Sequence, residues 1–81
     1  MAIFYVEVTD LFCGELNYSW INRFHVEASS SLGAIRKIAR HYNLNFRFHS
    51  EGIYHSTTKL TGVFIEELDT SIAKNYYVEE I

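Results

Sequence analysis

Between Tyr18 and Tyr42 the spacing of hydrophobic side chains changes from every second residue to every third or fourth, and this switch decides the class of fold. Tyr18, Trp20, Phe24, Val26 and Ala28 take alternate positions, broken only by Asn22, while Ser19, Arg23, His25 and Glu27 hold four of the five places between them. Side chains alternate faces along a strand, so this segment reads as one half-buried strand with its apolar row turned inward. From Ser31 onward Leu32, Ile35, Ile38, Ala39 and Tyr42 recur at threes and fours, which is the apolar stripe of an amphipathic helix. A strand running straight into such a helix implies a small α+β domain with a helix laid on a sheet.

The remaining elements follow from pattern and turn chemistry. Ile3 to Thr9 reads as a first strand with Phe4, Val6 and Val8 inward, joined by a long Asp10 to Asn17 connection to the Tyr18 strand as an antiparallel pair. Ser29, Ser30 and Ser31 offer acceptors for the free N–H groups of the helix start, and Asn43 or Asn45 can end the helix in a left-handed conformation. Phe46 and Phe48 alternate with Arg47 and His49 in a third strand, Glu51 and Gly52 form a turn, and Ile53 to Thr57 is a fourth strand. Thr58 and Lys59 turn the chain into a fifth strand, Leu60 to Leu68, where Val63 and Ile65 compete with Phe64 for the core. Asp69, Thr70 and Ser71 can cap one helical turn, and Tyr76 to Glu80 reads as a short final strand. The expectation is an antiparallel sheet of four to six strands in β-β-α-β-β-β order, with a short C-terminal strand possible, packed on one α-helix. No linker, repeat or low-complexity segment divides residues 1–81, so they read as a single domain.

With 81 residues the core is modest, and its aromatic side chains supply much of the area that can be buried. The lone Cys13 has no partner for an internal disulfide, which suits a reduced, cytosolic setting. The first eight residues lack the basic start of a signal peptide, and no apolar run approaches a membrane span. The formal charge of −3 is unevenly spread. Arg23, Arg36, Lys37, Arg40 and Arg47 lie between Ser19 and Ser50, whereas Glu51, Glu66, Glu67, Asp69, Glu79 and Glu80 lie from Glu51 onward.

Three constellations stand out against ordinary solvated charge. On the helix, Lys37 and Arg40 point away from the apolar stripe, flanked by Arg36 and His41, and Gly33 falls on that outer side. On the sheet, Arg23 and His25 from one strand and Arg47 and His49 from another take outward positions, and form a cationic patch if those strands are neighbours. Cations and aromatics on a sheet face suit nucleic-acid or anion contact, although an acidic chain disfavours non-specific nucleic-acid binding. Finally Glu66, Glu67, Asp69, Glu79 and Glu80 gather into a negative ridge if the last strand pairs near the fifth, with Tyr76 and Tyr77 as aromatic anchors. Such a ridge mimics a phosphate backbone and suits a lysine- and arginine-lined groove.

No motif supports catalysis or a cofactor. The histidines His25, His49 and His55, even with Cys13, lack the close pairing that zinc ligation uses. No serine or threonine is placed beside a base, and Glu66 and Glu67, being consecutive, point to opposite faces of a strand. A non-enzymatic protein without cofactor or metal is therefore expected. The terminal segment Tyr76 to Ile81 carries apolar side chains on both faces, so it either completes its own sheet or pairs with a second copy; a homodimer is expected.

Several stretches also resemble a pattern found in short uncharacterised proteins of phage genomes. They are Glu7-Val8-Thr9-Asp10, Gly14-Glu15, Asn17-Tyr18-Ser19-Trp20, Ala28-Ser29-Ser30 and Leu32-Gly33-Ala34-Ile35-Arg36-Lys37. The resemblance covers roughly the first half of the chain. It implies a small accessory protein acting in the cytoplasm of a bacterial host. By analogy with anti-CRISPR proteins, such a protein would bind and inhibit a bacterial defence protein or ribonucleoprotein, for example a CRISPR effector. The alternative is a small nucleic-acid-binding accessory protein that uses one of the basic faces.

Overall fold

β1 (Ala2–Phe12) and β2 (Glu15–Ala28) form one long antiparallel hairpin at the centre of the chain's architecture. In this computed structural model, which describes residues 2–68 and 79–80, the hairpin is followed by α1 (Ser31–Tyr42), β3 (Phe46–Ser50), β4 (Ile53–Ser56), β5 (Thr61–Leu68) and β6 (Glu79–Glu80). The sheet order is β3-β4-β5-β1-β2-β6. Neighbours from β3 to β2 are antiparallel, and β6 lies parallel to β2, with Phe24 opposite Glu79. The fold is thus the small α+β arrangement expected, a sheet with one helix among the described residues. Among the described residues no helix is long and apolar enough to cross a membrane.

The core forms where the alternating rows meet the helix. Phe4, Val6 and Val8 of β1, Phe24, Val26 and Ala28 of β2, and Val63 and Ile65 of β5 bury against Ala34, Ile35 and Ile38 of α1. Register settles the competition in β5: Val63 pairs with Val8 and Ile65 with Val6, so both share the helix-facing side and Phe64 is turned to the other. The helix starts where expected, with the Ser30 hydroxyl accepting the Gly33 N–H at 3.1 Å. It stops at Asn43, whose φ of +55° and ψ of +45° send its N–H and that of Leu44 back onto the last-turn carbonyls. Two helix positions differ from the simple wheel. Leu32 is exposed, and Gly33 sits on the inner flank, where a Cβ would lie 3.5 Å from Ala28.

The largest departure from expectation is in the hairpin. Residues 10–17 are not a long connection: the strands continue to a two-residue turn at Cys13 and Gly14, both at positive φ as a type I′ hairpin loop requires. The additional length is absorbed inside the ladder. Thr9 pairs with Ile21 and Leu11 with Leu16, so Asn17, Tyr18, Ser19 and Trp20 stand opposite Asp10 alone. This bulge takes Tyr18 to a φ of +59° and leaves Tyr18 and Trp20 exposed, although alternation assigned both to the core row. Polar side chains hold it. Thr9, fully buried, donates from Oγ1 to the Trp20 carbonyl at 2.6 Å and accepts the Tyr18 N–H at 3.0 Å. Asp10 accepts the Ser19 N–H at 3.0 Å and the Asn17 amide at 2.8 Å. Hydrogen bonds from Ser19 and then Asn17 hold the Asp10 carboxyl well below the usual carboxylate range. Asn22, the break in the apolar row, donates its amide to the Tyr42 hydroxyl at 3.0 Å.

The final strand was expected over Tyr76 to Glu80. Glu79 and Glu80 of that segment pair with β2 of their own chain. Tyr76, Tyr77, Val78 and Ile81 lie outside the described residues, as does the expected cap at residues 69–71.

Candidate functional site

One helix cannot cover a six-stranded sheet. α1 packs on β1, β2 and β5, and the helix-facing side of β3 and β4 is left open beside the helix N-terminus. The result is a groove of about 510 Å³. Phe4 and Ile65, both almost fully buried, form its floor, and Phe48 and Tyr54 form its far wall. These two rings come from paired positions on β3 and β4 and meet edge to face at 5.8 Å, with Phe48 62% exposed. Ser30 and Ser31 close the helix end, and Glu51, Glu66 and Glu67 line the opposite side, with Glu67 on the helix-facing row of β5 and Glu66 on the row of Phe64. All three carboxylates are exposed, and no basic residue lines the groove. An apolar floor with an aromatic wall and an acidic rim is suited to an apolar segment that carries positive charge.

The expected acidic ridge is divided by strand order. β6 pairs with β2 rather than β5, so β1 and β2 stand between Glu66 and Glu67 on one side and Glu79 and Glu80 on the other. At about 4.8 Å per strand that separation is roughly 14 Å. Asp69, Tyr76 and Tyr77 lie outside the described residues. What survives of the ridge is the Glu66 and Glu67 end, now joined by Glu51. The sequence did not single out Phe48, Tyr54 and Glu51 as a unit. The Glu51-Gly52 turn was the available signal, because it folds β4 back on β3 and brings the two rings opposite each other.

The cationic patch is divided in the same way. Arg23 and His25 lie on β2, Arg47 and His49 on β3, with β1, β5 and β4 between them, about 19 Å at the usual strand spacing. Arg23 is also committed. It pairs in register with Glu7, which accepts the Tyr5 hydroxyl at 2.6 Å and the Tyr18 hydroxyl at 3.1 Å. Burial and the Glu7 hydrogen bond push the Tyr5 phenol up to about 12 against a smaller opposing pull from Arg23, and burial with the Glu7 charge raises Tyr18 as well. Phenols held protonated this firmly serve as hydrogen-bond donors rather than bases. His25 lies half-buried, edge to face with Tyr5 at 6.4 Å.

On the helix Arg36, Arg40 and His41 are exposed as expected, but Lys37 is not free. Its Nζ donates to the Glu27 carbonyl at 2.5 Å, fastening the helix to the end of β2. His49 and His55, which the sequence placed apart across a turn, stack on adjacent strands with ring centroids 4.0 Å apart and planes 20° from parallel. Among the described residues no group of three or more His, Cys, Asp or Glu is arranged to hold a metal ion. No protein-family model, curated protein or solved structure matches this chain.

Proposed function

We propose that this chain is a stoichiometric binding protein without chemistry of its own, which takes a cationic, partly apolar segment of another protein into the groove on its helix face. The observation that carries this reading is the coincidence of an aromatic wall, Phe48 and Tyr54, with an acidic margin at Glu51 and Glu67 around one concavity. Aromatic anchors and complementary charge are the features on which protein interfaces depend most. The resemblance of the first half to short phage proteins suggests the class of partner: a bacterial defence component, such as a CRISPR effector with a lysine- and arginine-lined nucleic-acid groove. On that reading the protein works in the host cytoplasm by occupying a surface that nucleic acid needs.

The test is competition and mutation together. Purified defence nucleases are assayed with increasing amounts of the protein, and inhibition should reach completion near one equivalent. Glu67→Lys should weaken the complex by about tenfold, and Phe48→Ala by at least as much, as expected for a rim charge and a central aromatic. Inhibition that both variants retain in full would remove the groove from the mechanism.

A further inference from the structure

We propose that the outer edge of the β3–β4 hairpin is a binding site for a small phosphate-bearing ligand, held by Arg47 and the stacked imidazoles of His49 and His55. This site adjoins the groove at Phe48, which borders both, and is independent of the partner assigned to the groove.

The argument rests on what the cleft brings together. Arg47 pairs across the strands with His55, and His55 stacks on His49, so three nitrogen-rich side chains share one edge. They line a cleft of about 320 Å³ with Phe48, Ser56 and Thr57, and none of these lining residues is an acid. That volume is at the small end of the range of about 300–1,000 Å³ typical of ligand sites. Ser56 Oγ accepts the backbone N–H groups of Thr58 at 3.2 Å and Lys59 at 3.1 Å, which fixes the turn beside the cleft. A guanidinium beside two imidazoles presents forked and point donors of the kind phosphate oxygens accept.

Charge gives the site its distinguishing property. The charged residues that share a cleft lining with the pair are Arg47 on β3 and Glu15 at the start of β2. Glu15 lines a different cleft on the other side of the rings, with Ile53 and Leu16. Burial and then the neighbouring His49 push His55 below its ordinary value, so without an anion the second proton is resisted. A bound anion reverses that balance, and its binding is therefore accompanied by proton uptake on the imidazoles.

The probes are sulfate, inorganic phosphate and adenosine monophosphate, titrated into the full chain in low-salt buffer by calorimetry and by NMR of the imidazole protons. Sulfate keeps its charge over this range, so its affinity should tighten at least about fivefold from about pH 7.5 to about pH 5.5 as the imidazoles charge. Adenosine monophosphate binding more tightly than phosphate identifies a nucleotide, and equal binding identifies free phosphate; both support the site. Arg47→Gln should weaken binding about tenfold, and His49→Gln, which removes the stacked ring, should weaken it as well. Both positions are exposed, so the fold tolerates the changes, and Arg36→Gln on the helix should alter nothing. Absence of saturable binding at the lower pH, or binding that Arg47→Gln leaves intact, overturns the proposal. So does an oligonucleotide that binds far more tightly than the mononucleotide, since the ligand would then be nucleic acid.

Discussion

Replacing Thr9 by valine tests whether two hydrogen bonds, rather than hydrophobic pattern, hold the bulge of the central hairpin. Valine keeps the branched shape at a fully buried position and removes only the hydroxyl. Two backbone groups then lose a partner: the Trp20 carbonyl, at 2.6 Å, and the Tyr18 N–H, at 3.0 Å. A typical hydrogen bond contributes about 0.5–1.5 kcal/mol net, so the pair sums to about 1–3 kcal/mol, the upper end applying if water cannot replace the lost partner. A domain of this size loses about 4–8 °C of melting temperature per kcal/mol, which predicts a fall of roughly 5–20 °C. Thr9→Ser is the matched control. It keeps both bonds and deletes a buried methyl, which costs about 1 kcal/mol. Urea unfolding followed by fluorescence is well suited to the measurement, because the only tryptophan in the chain, Trp20, lies in the bulge itself. Serine should be more stable than valine, and valine alone should shift the native emission. Valine matching wild type in both midpoint and emission would refute the claim that Thr9 organises the bulge.

At the helix end, Asn43→Gly should be neutral within about 0.5 kcal/mol, whereas Asn43→Leu should cost about 1–2 kcal/mol because a branched residue resists the left-handed conformation; thermal unfolding separates the two. Tyr5 holds its proton more tightly in the folded state, so its contribution is complete below about pH 10 and is lost as pH rises through about 12. Ultraviolet titration of the phenols should show Tyr5 ionising last, together with unfolding. Asp10 has the opposite sign: its folded-state value is depressed, so its contribution is present above about pH 4 and is lost as the medium becomes more acidic. Asp10→Asn should flatten the acid limb of a stability–pH curve. Gly62 faces the tips of Leu11 and Leu16, which a methyl group would meet well inside van der Waals contact. Gly62→Ala should therefore destabilise by about 1–3 kcal/mol, and Leu16→Ala in the same chain should recover part of the loss in a double-mutant cycle.

Local pattern made much of the fold legible. The rows Phe4-Val6-Val8 and Phe24-Val26-Ala28, the Ser30 cap and the Asn43 stop all follow from rules that act within a few residues. The bulge was hidden because periodicity counts apolar positions, whereas this feature is set by Thr9 and Asp10 binding backbone groups across the hairpin. Tyr18 and Trp20 kept the alternation in sequence and lost it in space. Strand order was also beyond local pattern, since no proline marked an edge, and both charged patches depended on it. The groove and the imidazole stack needed the pairing of β3 with β4, and only the Glu51-Gly52 turn hinted at that.

The sheet order also has a consequence for biosynthesis. β1 ends up between β2 and β5, yet β5 is made some fifty residues after β1. While the chain is being synthesised, β1 can pair with β2 and the helix can dock, but its other edge and the remaining flank of the core stay bare until Thr61–Leu68 emerges. Non-local pairing of this kind slows folding and leaves a strand edge available to neighbouring chains. The charges of Glu7 and Asp10 on β1 are then useful before the native state exists, since charge along an open edge discourages edge-to-edge association. Chains that end before Thr61 never cover that edge and should therefore aggregate during expression, even though they can form the hairpin and the helix.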